Sequence, residues 1–185
     1  QAAAQAGFFN TIGDSDGVVR SLPLLAEYQG QYYESLALAM FRAMMGGPTV
    51  EPGFPATASL GTHDTLESVV LVDGTRRMAL PVDERLATLI PFRGPGGPEG
   101  GSYAYVSASD LLEGKIAEGT LADKAVVIGT SAPGLQDVRT TPVGPVYPGV
   151  EAHASMLTAL MDGSAIAIPD YARGFDVLQL VMVGL

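Results

Sequence analysis

The chain has 185 residues, of which 47% are hydrophobic and 16% are charged, a composition typical of a folded globular protein and not of a disordered one. Ten Lys and Arg residues stand against twenty Asp and Glu residues, for a formal net charge of -10, which argues against a nucleic-acid-binding protein. The absence of Cys excludes disulfides, thiolate metal sites and thiol nucleophiles.

The first half of the chain predicts strands around one helix. Partial alternation of apolar residues predicts strands over 7–12 and 18–28, on either side of an Asp-Gly turn. A helix is predicted from Ser35, which can cap its first turn, to Gly46, which ends it. Residues 67–94 predict further strands, with Asp73 and Gly74 as a hairpin turn.

The second half begins with a Gly-rich stretch at 93–101, interpreted as a flexible surface loop, followed by a short helix within 105–116. Residues 124–130 (KAVVIGT) are continuously apolar after Lys124, which predicts a strand buried on both faces of a sheet. A helix follows Gly149 and ends at Gly163. Its predicted inward face consists of Val150, Ala154, Leu157 and Met161. The predicted fold is α/β, with a mixed β-sheet flanked by helices in an α/β sandwich.

A long stretch rich in turn residues, 129–149, separates the predicted buried strand from this helix. In open α/β sheets, ligand crevices lie beyond the carboxyl ends of the strands, so the polar residues here are candidates either for ligand contact or for a structural clasp. Asp137 can accept backbone N–H bonds across the loop, and Arg139 can pair with an acid of the domain or with an anionic ligand. The other candidates of this stretch are Thr130 and Thr141.

The helix after Gly149 carries two further candidates. Glu151 lies in the first turn, where a carboxylate is favoured by the helix dipole, and it can alternatively bond a loop donor. His153 shares a face with Leu157 and Leu160, which favours an inward core or capping residue. A hydrolytic triad of Ser131, His153 and Asp137 has the required residue types but lacks the G-x-S-x-G elbow.

Asp14 and Asp16 resemble the opening of a calcium loop, but the bidentate Glu that such a loop requires is absent at the needed spacing. Both are interpreted as turn residues, and Arg20 follows closely enough to pair with either. Two widely separated His residues without Cys argue against zinc. The loop at 93–101 matches no phosphate-binding motif, so neither a metal nor a cofactor is predicted.

After Asp176 the C-terminal residues are apolar apart from Gln179. The run is far shorter than the roughly 20 residues that span a bilayer. It is compatible with a terminal strand, with a core helix or with the start of a transmembrane helix.

Several stretches occur in a specific order, namely GFFNTIGDSDGVVRSLPL, YYESLALAM, FRGP, SASDLLEGKI, LADKAVVIGTSAPGLQDVRTTP and PGVEAHASMLTALMDG. Together they resemble the CHASE2 family of extracytoplasmic sensor domains, which stand in bacterial transmembrane receptors ahead of adenylate or diguanylate cyclases, histidine kinases or protein kinases. The matching positions include Asp14, Asp16, Arg20, Asp137, Thr141, Glu151 and His153. The resemblance implies that 1–173 form the later part of such a domain, whose upstream half is missing, and that 174–185 begin a truncated transmembrane helix.

The resemblance therefore implies a sensory domain on the extracytoplasmic (periplasmic) side of the cell membrane. It would belong to a membrane-bound signalling protein, expected to be an adenylate cyclase. The domain itself would be non-catalytic, homodimeric, attached to the membrane through adjoining helices and responsive to an unknown small ligand or ion. Two alternatives stay open, a structural dimerisation domain without a ligand and a hydrolase that uses Ser131, His153 and Asp137.

Overall fold

The computed structural model describes residues 5–54, 66–130, 137–166, 168 and 172–184. The strands are β1 (Ser21–Pro23), β2 (Leu25–Tyr28), β3 (Gln31–Glu34), β4 (Thr49–Gly53), β5 (Ser68–Asp73), β6 (Arg76–Pro81), β7 (Ala87–Leu89), β8 (Val138–Thr141) and β9 (Gly144–Pro148). The helices are α1 (Leu36–Met44), α2 (Ala108–Leu112), α3 (Gly149–Asp162) and α4 (Ala172–Gly184).

The strands form small antiparallel sheets, which pair β1 with β7, β2 with β3, β4 with β5 and β6, and β8 with β9. The predicted α/β class is confirmed, with helices packed among these sheets. The predicted hairpin turn is also confirmed, because β5 and β6 pair from Asp73–Arg76 onward and Gly74 has a φ of 58°. That backbone conformation is one that Gly adopts readily.

Helix α1 begins and ends where its sequence predicts. The hydroxyl of Ser35 accepts a hydrogen bond from the backbone N–H of Leu38 at 3.4 Å, and Gly46 follows the helix with a φ of 85°. Leu38 is fully buried and Phe41 is 2% exposed. The helix is therefore fixed by its cap and by its buried face.

Helix α3 lies at the centre of the core and packs against α1. Gly163 ends it in the left-handed conformation, with a φ of 64°, as predicted. The predicted inward face is wrong in part, because Met161 is 54% exposed whereas Ala152 and Met156 are fully buried. Packing from several sides buries more of this helix than one periodic stripe would indicate. The apolar core around it comprises Val19, Leu22, Leu24, Leu38, Phe41, Val69, Leu80, Ile90, Tyr147, Met156 and Leu160.

Two predicted strands are absent from the structure. Residues 124–130 form neither helix nor strand, and Val126 and Ile128 are 49% and 90% exposed, so the prediction of a buried central strand is wrong. Residues 7–12 make only an isolated bridge, between Phe8 and Ser35. A strand needs a continuous hydrogen-bonding neighbour: among the described residues, 124–130 pair with no strand, and 7–12 meet the end of β3 only at Phe8, whose N–H donates to Glu34 at 2.9 Å.

Residues 172–184 are helical, which excludes the terminal strand among the sequence alternatives. The apolar side chains of α4 are exposed, with Leu180 at 74% and Val183 at 88%. Across the described segments, no helix combines the length and the apolar character required to cross a bilayer. The chain before α4 is joined to β7, since the carbonyl of Ile166 accepts hydrogen bonds from Leu89 N–H and from the Thr88 hydroxyl, each at 2.7 Å.

Candidate functional site

The hairpin β8–β9 and the N-terminal end of α3 bring together five of the residues that the sequence singles out. Asp137 lies against the first residue of α3, and its carbonyl accepts the Gly149 N–H at 2.7 Å. A Cβ added to Gly149 would lie 2.3 Å from Oδ2 of Asp137, so a larger residue there would require the Asp137 carboxylate to move. The hydroxyl of Thr141, a residue that is 5% exposed, donates to the carbonyl of Gly144 at 3.1 Å within the hairpin.

Arg139 makes its contacts inside the domain. Its Nη2 lies 2.9 Å from Oδ1 of Asp137, and its Nε donates to the hydroxyl of Thr11 at 2.8 Å. The sequence left open whether this cation pairs with an acid of the domain or with an anionic ligand, and the structure shows the pairing with Asp137. Together the two residues hold the N-terminal segment against the hairpin.

His153 is buried in α3, with 2% of its surface exposed, as its inward position predicts. Its Nε2 lies 3.0 Å from the carbonyl of Phe9, and Nδ1 has no hydrogen-bond partner within the described part of the chain. Burial lowers the pKa of His153, although the hydrogen bond to Phe9 and the charge of Asp137 act in the opposite direction. The imidazole is therefore neutral near pH 7 and donates from Nε2 to Phe9.

Around His153, the residues that the structure describes do not complete a hydrolytic triad. Within the described ranges no hydroxyl group hydrogen-bonds to His153, because Nε2 donates to Phe9 and Nδ1 has no partner there. Ser131, the nucleophile of that alternative, lies outside the described residues.

Glu151 is 3% exposed and joins α3 to the Gly-rich loop. Both of its carboxylate oxygens lie 3.2 Å from the backbone nitrogen of Gly97, which donates to them. Burial and a hydrogen bond to this carboxylate raise the pKa of Tyr105 above its ordinary value. Burial, with the nearby Glu151 charge, raises the pKa of Tyr147 to about 12. The loop at 93–101 lies on the surface as predicted, but this contact fixes it to the helix.

Asp14, Asp16 and Arg20 form a separate exposed cluster. The guanidinium of Arg20 lies 2.7 Å from Oδ2 of Asp14 and 2.7 Å from Oδ2 of Asp16. These hydrogen bonds from Arg20, with one from the Val18 N–H, lower the pKa of Asp16 to about 2. The cluster adjoins the hairpin because the Val19 N–H donates to the carbonyl of Thr140 at 2.8 Å.

The candidates from the sequence thus divide into two groups. Asp137, Arg139, Thr141, Glu151 and His153 surround the start of α3, whereas Asp14, Asp16 and Arg20 form the exposed turn. Thr130 is exposed at the end of segment 124–130. The contacts are those of an internal clasp between loops, the hairpin and α3, and a role of these residues in ligand binding stays a prediction. In the described segments, no group of three or more acidic or His residues is arranged to hold a metal ion.

Sequence reasoning missed a cavity on another side of the molecule. It measures about 1140 Å³ and is lined by the hairpin β2–β3, strand β4 and the turn before β7. Aromatic residues of β3, Tyr32 and Tyr33, are exposed in it. The run of two Tyr residues at 32–33 was the available signal, but the rest of the lining comes from distant segments.

Comparison with known proteins gives one family. The family model described as the CHASE2 domain matches residues 1–185, the whole length of the chain. No curated protein and no solved structure gives a significant match.

Proposed function

The chain belongs to the CHASE2 domain family, and from this premise we propose that it relays an extracytoplasmic stimulus to an adenylate cyclase domain on the cytoplasmic side of a membrane. Members of this family are extracytoplasmic sensory domains of signalling receptors and not catalytic domains. The cyclase, the relay and the membrane attachment of this chain are the content of the proposal.

The observation that carries the proposal is the connection between the core and α4. Residues 163–166 leave the buried helix α3, and Ile166 is then held to β7 by two hydrogen bonds to its carbonyl. Thr88, which makes one of them, is 1% exposed. Arg93, just after β7, forms an ion pair with Asp162 at the end of α3. A change in the packing of α3 is thereby coupled to the position of Ile166, six residues before α4 begins.

Helix α4 provides the proposed output element. Residues 177–183 are apolar apart from Gln179, and their apolar side chains are exposed, which is costly in water and favourable in lipid. The 13 residues of α4 rise about 20 Å, against a hydrocarbon thickness of about 30 Å, so spanning requires further apolar residues. In this proposal, α4 lies in the outer part of the hydrocarbon layer of the membrane.

The relay is a shift between two packing states. A stimulus that binds one state better than the other changes their populations and moves α4. A homodimer fits this mechanism, because cyclase catalytic domains act in pairs and the movement of two helices changes how the pairs meet. The alternative of a dimerisation domain without a ligand makes the opposite prediction, that no stimulus changes the output.

Replacement of Thr88 by Val in the full-length receptor tests the relay. The substitution removes the hydroxyl that donates to Ile166 but leaves that carbonyl bonded to the Leu89 N–H, so the expected cost in stability is only about 0.5–1.5 kcal/mol. We expect a several-fold change in cellular cyclic AMP at equal receptor levels. The matched control is Thr49→Val, which removes an exposed Thr hydroxyl donating to the carbonyl of Val72 at 3.3 Å, between β4 and β5.

Equal cyclic AMP levels in the wild type and in both variants would contradict the relay through β7. A receptor whose output domain makes no cyclic AMP would overturn the assignment to adenylate cyclases. Sedimentation of the detergent-solubilised receptor measures its association, and a monomer would exclude the dimeric arrangement.

A further inference from the structure

The cavity beside the hairpin β2–β3 has no role in the clasp around α3. Its volume of about 1140 Å³ is sufficient for a small-molecule ligand, since such pockets usually measure about 300–1,000 Å³. It lies between segments that are distant in sequence, from Phe8 to Leu86. The chemistry of its lining determines which ligand would fit it.

Exposed aromatic rings dominate this surface. Tyr28 and Tyr32 are each 64% exposed, Tyr33 is 47% exposed and Phe54 is 59% exposed, and all four line the cavity. Aromatic side chains that are grouped and exposed on a concave surface indicate a binding site more than a single exposed ring does. The faces of Tyr and Phe rings also attract cations.

The charges of the cavity are mainly negative. Glu34 and Glu51 are neutralised by ion pairs with Arg42 and Arg77. Within the described ranges Glu27 and Glu84 form no ion pair, although both line the cavity.

The strand register places one of these carboxylates beside an aromatic ring. Glu27 of β2 is directly opposite Tyr32 of β3, so both side chains lie on the same face of the hairpin. A carboxylate next to exposed rings provides the two interactions that an organic ammonium group requires, charge pairing and contact with a π face. Arg85 also lines the cavity, and its positive charge repels a cation. Removal of this charge should therefore strengthen the binding of a cation.

We propose that this cleft binds a small organic cation of the substituted-ammonium type, with Tyr32 contacting the cationic group and Glu27 pairing with its charge. An anionic ligand would meet Glu27 and Glu84. A second copy of the chain in a two-fold interface would bring its own Glu27 and Glu84 to the same surface, and the added negative charge is unfavourable. The claim that this cation is the stimulus of the receptor rests on the sensory function proposed above. The claim that the cleft binds it does not.

Choline and its neutral isostere 3,3-dimethyl-1-butanol separate the effect of the charge from that of shape. We expect titration calorimetry of the 185-residue chain to show binding of choline at micromolar to millimolar concentration and at least tenfold weaker binding of the neutral alcohol. Replacement of Tyr32 by Leu should weaken choline binding by about 3- to 30-fold, the range for a cation on an aromatic face. Glu27→Gln should weaken it in the same direction, and Arg85→Gln should strengthen it.

The matched control for Glu27→Gln is Glu118→Gln, which alters an exposed carboxylate outside the cavity and should leave binding unchanged. Tyr32 is exposed, so thermal unfolding of Tyr32→Leu should match that of the wild type. Equal affinity for choline and the alcohol, or no binding of choline at millimolar concentration, would overturn the proposal. Loss of a dimer in Tyr32→Leu would also overturn it, because the occupant would then be a second copy.

Cyclic AMP production by the full receptor separates this inference from the proposed function. If choline binds as described and changes the output, both are supported. Binding through Tyr32 and Glu27 without any change in output would support the cleft and refute its role as the sensory site.

Discussion

Replacement of Gly96 by Ala tests how the Gly-rich loop is fixed to α3. A Cβ added to Gly96 would lie 2.7 Å from Cδ of Pro148, 2.7 Å from Cδ2 of Tyr147 and 2.8 Å from Oε2 of Glu151. All three distances are too short for a methyl group. Tyr147 is fully buried and Glu151 is 3% exposed, so neither can move aside without disturbing the core.

Two opposing effects determine how much Gly96→Ala changes the free energy of unfolding. Insertion of a methyl group into a packed site costs about 1–3 kcal/mol, whereas the loss of Gly freedom in the unfolded chain returns about 0.4–1 kcal/mol. The expected net loss in the free energy of unfolding is about 1–2 kcal/mol. For a chain of this size that corresponds to a decrease of about 2–8 °C in the unfolding temperature.

Urea and thermal unfolding, followed by circular dichroism, measure this loss. Gly144→Ala is the matched control, because a Cβ at Gly144 meets nothing within 4 Å and its φ is not positive. The control should be as stable as the wild type or up to about 1 kcal/mol more stable. If Gly96→Ala behaves like Gly144→Ala, the loop does not pack on Tyr147 and Glu151, and the described contact of the loop with α3 is refuted.

Three further predictions concern charge and hydrogen bonding. Burial keeps the pKa of His153 below its ordinary value of 6.5, so the unfolded state takes up a proton at higher pH than the folded state does. The free energy of unfolding therefore falls as the pH decreases below about 6.5. In urea unfolding at several pH values, His153→Gln should show a weaker dependence on pH. NMR titration should give Asp16 a carboxyl pKa of about 2, and Arg20→Gln should return it toward 3.8. Tyr147→Phe removes the 3.2 Å hydrogen bond to Ser155 and should reduce the free energy of unfolding by about 0.5–1.5 kcal/mol.

Each of these predictions has an outcome that contradicts it. Equal pH slopes for the wild type and His153→Gln would show that the imidazole is not buried in neutral form. An Asp16 pKa near 3.8 in the wild type would show that the ion pair with Arg20 does not persist in solution. For the Tyr147 hydroxyl, the control is Tyr33→Phe. The exposed Tyr33 hydroxyl bonds the nearby Gln31, its one partner among the described residues, and its removal should cost little.

The sequence predicted well those elements whose determinants are close together in the chain. Ser35 and Gly46 fix the limits of α1, Gly163 fixes the end of α3, and Asp73-Gly74 fixes the β5–β6 turn, because each acts through hydrogen bonds or backbone angles within a few residues. The family resemblance was equally accessible, and the family model over residues 1–185 confirms it.

The candidate site was predicted less completely. The inward position of His153 and the pairing of Arg20 with Asp14 and Asp16 were predicted. The partners Phe9 and Gly97 were not, since both contacts use backbone groups, which no side-chain pattern identifies.

Local chemistry in the sequence therefore determined the family, the limits of α1, the end of α3, the β5–β6 hairpin turn and the inward position of His153. Only the tertiary structure decided that residues 124–130 are not a strand, that Glu151 holds the Gly-rich loop and that β2–β3 borders an aromatic cleft. The physical reason is that caps and turns are satisfied by atoms nearby in the chain. Strand pairing, burial of a charge and the walls of a cavity instead require groups brought together from distant segments, and their presence is decided by packing.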